Sequence, residues 1–150
     1  MSRLPAVCHE IRLAVRPEGL PGPEHFELVR RPLPVPEAGQ VLVRNRYFRV
    51  SASLRMMIAQ GAEDVPGVPF PALRPGDTLA EEAIGEVVSA PEDSGLRPGE
   101  LVSHFLGWRE YAVLGPERCV PLPPEDLPDP GARLGHGWTA YAALTRGAIG

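Results

Sequence analysis

Short apolar runs broken by turn residues recur along this chain. Ile11, Leu13 and Val15 alternate with charged or small residues, the period-two pattern of a strand with one buried face. Phe26, Leu28 and Val29 form a second short run, followed by a turn studded with Pro32, Pro34 and Pro36. Ala38-Gly39 then leads into a long stretch rich in Val, Leu and aromatics. Read this way, the pattern predicts strands over residues 7–16, 26–31, 41–50, 78–80, 84–90, 101–105, 109–114 and 119–122. Short strands spaced by turn signals predict a sandwich or barrel.

Two segments read as helical. Residues 53–59 place Leu54, Met57 and Ile58 at i, i+3 and i+4, with Ser53 as the N-cap. Residues 131–146 open weakly and become Ala-rich, with Trp138, Tyr141 and Ala142 on one face and the longer helix expected near 139–146. Residues 60–70 are rich in Gly and Pro and read as a mobile loop over a barrel mouth.

Composition narrows the picture. Nineteen Pro and 16 Gly in 150 residues exclude a helical bundle, because Pro lacks an N–H and breaks helices and central strands alike. The length suits one domain with a real core. No apolar run approaches the roughly 18–20 residues of a membrane span. Met1 to Val7 is too short and too interrupted for a signal peptide, so a cytoplasmic location and no membrane partner are expected. The net charge of −4 and the lack of a basic stripe argue against nucleic acid as a partner. All 15 basic residues are Arg, unclustered, which fits codon bias. Cys8 and Cys119 lie far apart in apolar surroundings and read as two buried free thiols. No paired C-x-x-C is present, so no metal is expected.

Four motifs in order carry a family resemblance. Arg16-Pro17-Glu18-Gly19-Leu20-Pro21 is similar to an Arg-Pro-x-Gly-x-Pro loop, and Ile84-Gly85-Glu86-Val87-Val88 to a Val-Gly-Glu-Val-Val strand. Gly107-Trp108-Arg109-Glu110-Tyr111-Ala112-Val113 is similar to Gly-Trp-Gln-Glu-Tyr-Ala-Val, and Gly137-Trp138-Thr139-Ala140-Tyr141 to Gly-Leu-Thr-Ala-Tyr. Together with residues 26–55 they resemble the N-terminal part of the zinc-independent medium-chain dehydrogenase/reductases. The subgroup is that of leukotriene B4 dehydrogenases, prostaglandin reductases and 2-alkenal reductases.

The resemblance implies a mainly β fold: a GroES-like, partly open β-barrel with a short helix and a C-terminal connecting helix. It implies NADP as cofactor and reduction of carbon–carbon double bonds of enones and alkenals, with substrate between the barrel and a Rossmann domain. Residues 1–150 read as one such N-terminal domain without a strand–glycine-turn–helix unit. The Rossmann domain is therefore expected outside this chain, which alone should neither bind NADPH tightly nor transfer hydride. Either that domain or a second copy is the expected partner, covering the apolar face of Trp138, Tyr141 and Ala142. The alternatives are a stand-alone barrel that binds a small molecule or acts as a cofactor-independent cyclase or isomerase, and an inactive remnant. Zinc-dependent cousins carry a Cys after the long strand and a Gly-His-Glu downstream. Here Ser51-Ala52-Ser53 and Ala80-Glu81-Glu82 stand there.

The same resemblance marks the site. Ser51-Ala52-Ser53-Leu54-Arg55 replaces Asp-Pro-Tyr-Met-Arg, which faces nicotinamide and substrate, and only Arg55 persists. That exchange means either a roomier, more polar pocket with a changed substrate, or ordinary divergence. His136 stands at the domain-interface loop, as a general acid or base or as a polar loop residue. Thr139 and Tyr141 match a segment beside the nicotinamide; the alternative has Thr139 capping the helix and Tyr141 packing in the core. The substrate pocket is thus expected at Ser51, Ser53, Arg55, His136 and Tyr141, with Thr139 as the nicotinamide-side contact. Glu81, Glu82 and Glu86 could serve as acid–base carboxylates, but Glu86 alternates with Ile84 and Val88, which favours a solvated strand face; Trp108 and Tyr111 read as barrel packing. His9, His25 and His104 show no metal-like spacing and are assigned no role.

Overall fold

The computed structural model describes residues 3–67 and 72–135. The chain runs β1 (Val7–Leu13), β2 (Phe26–Pro32), β3 (Val41–Phe48), α1 (Ser53–Ile58), β4 (Ala83–Ser89), β5 (Leu101–His104), β6 (Tyr111–Leu114) and β7 (Val120–Pro121), with short 3-10 turns between. β1 and β2 form an antiparallel hairpin sheet, and the other five strands form a second sheet in the order β6-β3-β4-β5-β7. All pairings are antiparallel. The sheets do not close. Among the described residues, β1 is tied to the rest by isolated bridges from Glu10 to Arg109, just before β6, and from Arg12 to Thr78. The fold is mainly β, as the turn-punctuated sequence predicts, and its open arrangement of two sheets is the one the family resemblance implies.

Burial explains the strand order. β3 sits between β6 and β4, and Val41, Leu42 and Val43 are all buried, so both faces of its first half are covered. Val41 and Val43 join Val87, Val102 and Leu114 in one core, while Leu42 packs with Cys8 and Tyr111 on the other face. A register shift in the β3–β4 pairing between Asn45 and Tyr47 bends the strand where it leaves the core. The α1 residues Leu54, Met57 and Ile58 all face inward, against Leu13, Leu73 and Leu79.

Several expectations need correction. β1 ends at Leu13 rather than residue 16, because the Ala14 and Val15 N–H groups turn to the His25 carbonyl. Residues 78–80 form no strand: the Leu13 and Leu79 N–H groups bond Asp77 and Ile11 carbonyls around the single Thr78 bridge. Ser53 does not cap α1. It is the first helical residue, and Ala52 at the cap position supplies no side-chain bond. The start of the 131–146 segment is a 3-10 turn at Pro130–Leu134, and the helix expected at 139–146, with its Trp138, Tyr141 and Ala142 face, lies outside the described residues. Among the described residues no helix is long and apolar enough to cross a membrane.

The opening-loop arginine acts as a clamp. The Arg16 Nη1 donates to the Ala59 carbonyl at 2.6 Å and meets Glu63 at 2.8 Å, and Gln60 Nε2 reaches back to the Arg16 carbonyl. This ties the end of α1 to the loop that follows. Arg16→Ala is expected to cost about 1.5–3 kcal/mol, the scale of a hydrogen bond from a charged donor. The exposed Glu63 contact adds little to that. Hydrogen exchange on the Arg16→Ala variant should quicken first at residues 57–64. Uniform quickening across β3 and β4 would contradict this local role.

Candidate functional site

The site forms where β3 leaves the sheet. The Arg49 N–H bonds the Glu82 carbonyl at 2.8 Å, which carries the chain past the end of β4. The Arg49 side chain pairs with the Glu82 carboxylate at 3.0 Å and donates to the Leu134 carbonyl at 3.0 Å. Ser51 therefore arrives opposite Glu81. Its hydroxyl donates to Glu81 Oε1, and its backbone N–H donates to Oε2 at 3.3 Å. Trp108 Nε1 donates to the same Oε2 at 3.2 Å. One carboxylate thus takes three donors.

The segment behind Glu81 is built tightly. The Gly107 N–H bonds the Glu81 carbonyl at 2.9 Å. A Cβ on Gly107 would lie 2.9 Å from both that oxygen and Phe48 Cβ, so only glycine lets the two backbones approach. Trp108 follows with φ of 58°, a left-handed conformation that costs a non-glycine residue of order 1–3 kcal/mol. The indole packs against Phe48, with ring centroids 4.9 Å apart, and against the α1 core. Trp108 is therefore barrel packing, as expected, and also a hydrogen-bond donor to the site.

In front of Glu81 lies a cleft of about 580 Å³, within the usual size range of small-molecule sites. Its walls include Ser51, Ser53, Met57, Glu81, Phe105 and Arg118. Ser51 and Ser53 are thus brought to one cavity. Arg55 is exposed on α1 and is not among the lining residues. Residues 60–67 do not line it either. His136, Thr139 and Tyr141 lie outside the described residues.

Two buried polar clusters frame the site, and neither is visible from residue spacing. In the first, His104 is 1% exposed. Its Nδ1 accepts the Leu106 N–H at 3.0 Å, which leaves Nε2 protonated and donating to Asn45 Oδ1 at 2.7 Å. The Asn45 amide nitrogen donates to the Leu106 and Arg109 carbonyls, both at 2.9 Å. Burial, helped by Arg109 and Arg118, pushes His104 down to about 4. In the second, Glu10 is 3% exposed and accepts from Thr78, from Arg31 at 3.0 Å and from Arg12 at 3.4 Å. Burial would raise its carboxyl, but these donors outweigh it and hold the group below the usual range. The first cluster fixes the backbone of Leu106, which lines the cleft, whereas the residues of the second do not line it. Glu86 pairs with Arg46 at an open strand face.

Cys8 and Cys119 are free, buried and pushed up by burial. Among the described residues no three His, Cys, Asp or Glu side chains gather into a metal-holding group. The two stretches that stand where the zinc-dependent cousins carry Cys and Gly-His-Glu do meet here, as the Ser51–Glu81 hydrogen bond.

Comparison with known proteins bears on the family and the fold. A family described as the N-terminal domain of oxidoreductase matches residues 9–122. The NADPH-dependent curcumin reductase of Escherichia coli is 29% identical over 137 residues, covering 88% of this chain and 37% of that protein. Mouse prostaglandin reductase-3 is 32% identical over 120 residues, covering 75% of this chain and 29% of that protein. The structure of CurA from Vibrio vulnificus in complex with NADPH superposes with a TM-score of 0.76 at 24% identity, over 91% of this chain and 40% of that one. The chain therefore spans well under half the length of these relatives.

Proposed function

Because this chain belongs to the family of oxidoreductase N-terminal domains, as its motifs implied, we propose that it forms the substrate-side wall of an NADP-dependent reductase acting on carbon–carbon double bonds of enones or alkenals. The observation that carries the reading is the cleft at the end of β3, lined by the apolar Met57, Phe105 and Leu106 and by a fixed polar edge at Ser51 and Glu81. Its position matches the turn that the resemblance places beside substrate. The curated relatives named above are a curcumin reductase and a prostaglandin reductase, whose names are those of reductases.

The cofactor itself does not fit the described residues. A dinucleotide pyrophosphate is held by backbone N–H groups at the start of a helix that follows a parallel strand. Among the described residues every strand pair is antiparallel, and the one α-helix has six residues. No step through the nicotinamide is therefore assigned to these side chains. The dinucleotide would be held mainly by a Rossmann partner domain.

The test has two arms. Calorimetric titration of NADPH into the 150-residue chain should give a Kd no tighter than about millimolar, roughly 4 kcal/mol. Micromolar binding would sink the division of labour. In parallel, 4-phenyl-3-buten-2-one should shift the amide signals of Ser51, Glu81 and Leu106 in a nitrogen–proton correlation spectrum. Shifts confined to another face would remove the cleft from consideration. Adding a Rossmann domain that restores NADPH consumption with this enone would support the reductase. Enone conversion by the chain without NADPH would favour a cofactor-independent barrel.

A further inference from the structure

We propose that the Ser51–Glu81 wall selects ligands that present a hydrogen-bond donor, a hydroxyl above all, to this end of the cleft. The proposal rests on the reading of the cleft as the substrate site and adds a property of the substrate. Ser51 has one hydroxyl proton, and it is spent on Glu81 Oε1. The Ser51 N–H is spent on Oε2, and so is the Trp108 indole N–H. What the pair turns toward the cleft is therefore acceptor only: the Ser51 oxygen lone pairs and the remaining carboxylate lone pair. The Ser51 Oγ–H is already used on Glu81, so the proton a carbonyl could take from a serine of this cleft is that of Ser53, outside the Ser51–Glu81 pair.

Two consequences follow. A substrate carbonyl gains nothing from the Ser51–Glu81 pair and would have to turn to another donor of the cleft, Ser53 or Arg118. A hydroxyl elsewhere on the ligand gains a charge-assisted bond to an acceptor already held in place by three donors, with little further ordering needed. The apolar lining of Met57, Phe105 and Leu106 accepts the apolar body that separates the two groups. Arg49 does not reverse this preference, since its guanidinium is engaged by Glu82 and the Leu134 carbonyl. Arg118 also lines the cleft, so an anionic ligand is the competing outcome.

The experiment compares 4-(4-hydroxyphenyl)butan-2-one, its 4-methoxy ether and its 4-carboxy analogue, titrated into the chain by calorimetry or NMR. All three lack the conjugated double bond and need no cofactor, so the result is independent of turnover. The hydroxyl compound should bind about tenfold more tightly than the ether, the scale of one hydrogen bond to a charged acceptor. Glu81→Gln keeps an acceptor for Trp108 and returns a donor to the edge, and should bring the ratio to within about twofold while the ether binds at least as well. Equal binding of hydroxyl and ether by the unaltered chain overturns the proposal, as does a preserved ratio in Glu81→Gln. Tightest binding of the carboxy analogue overturns it in favour of Arg118. Failure of all three to bind removes the substrate-cleft reading itself, and this inference with it.

Discussion

Gly85→Ala should destabilise the chain by about 4 kcal/mol, a large part of the stability of an ordinary domain. β4 lies between β3 and β5, and Gly85 stands directly across the ladder from Asn45. A Cβ at that point would overlap the Val43 Cγ1 methyl and lie 2.9 Å from Asn45 Oδ1 and 3.0 Å from the Arg44 carbonyl. None of these is the far end of a flexible chain. Val43 is fully buried, and Asn45 Oδ1 already accepts from His104. The added methyl therefore brings overpacking, worth about 1–3 kcal/mol, and threatens a buried hydrogen-bond network of similar worth. Urea unfolding of the variant should show the drop as a shifted midpoint at unchanged slope. In a Val43→Ala background the penalty should shrink, because one of the three clashes is gone, and the double-mutant cycle should report that coupling. A Gly85→Ala variant within about 0.5 kcal/mol of the parent would show that β3 and β4 are not this close.

This glycine also shows what could be read before the structure. The motif Ile84-Gly85-Glu86-Val87-Val88 was recognisable as a string and its strand was legible from alternation, but the reason for the glycine was not. That reason is the pair Val43 and Asn45 on β3, far earlier in the chain, which meet Gly85 only through the β3–β4 register. Glu81 is a candidate carboxylate from the sequence, but the same kind of separation hid what it binds. Its partners Ser51 and Trp108 lie 30 and 27 residues away, so no local pattern announces the cluster. A signal did exist. The loop where zinc-dependent cousins place Cys and the stretch where they place Gly-His-Glu must converge in any related fold, and Ser51 and Glu81 stand there.

Local misreadings have local causes. Ser53 carries the residue type of an N-cap, but the chain enters α1 already helical at Ala52, one residue too early for Ser53 to act. The 78–80 stretch has strand-like residues, yet its backbone-to-backbone hydrogen bonding is to β1 around one bridge, and the Leu79 carbonyl is taken by the Arg109 side chain instead of a neighbouring strand. The expected strands 26–31, 84–90 and 101–105 agree with β2, β4 and β5 to within a residue or so at each end, since turn residues bound them in the sequence. Arg109, where related enzymes carry Gln, is held by the Gly107 and Leu79 carbonyls, a role that only the tertiary fold defines.

Acid should weaken the fold between pH 6.5 and 4, with His104 as the cause. The unfolded chain takes up a proton on His104 at its ordinary 6.5, whereas the folded chain does so only at about 4. Above 6.5 both states hold it neutral and the full stability is present. As the pH falls below 6.5 the unfolded chain binds a proton that the native chain refuses, so stability drops by about 1.4 kcal/mol per pH unit. The loss ends below about 4, where both states are protonated, and totals about 3 kcal/mol. The cause is physical and local. A buried imidazolium would be desolvated beside Arg109 and Arg118, and its Nδ1 would lose the lone pair that accepts the Leu106 N–H. Glu10 acts at lower pH: its lowered carboxyl contributes stability above 4.5 that is lost as the pH falls through its folded value, so the interval from 6.5 to 4.5 isolates the histidine. Urea unfolding across that interval should show the slope in the parent chain. His104→Gln, which keeps a donor for Asn45 but cannot titrate, should be less stable at neutral pH yet lose this share of the pH dependence. Nitrogen chemical shifts should find the His104 ring neutral, with the proton on Nε2, at pH 5.5. A ring that protonates near 6.5 in the native chain, or an unchanged slope in His104→Gln, would mean that the Asn45–His104 contact is open to water.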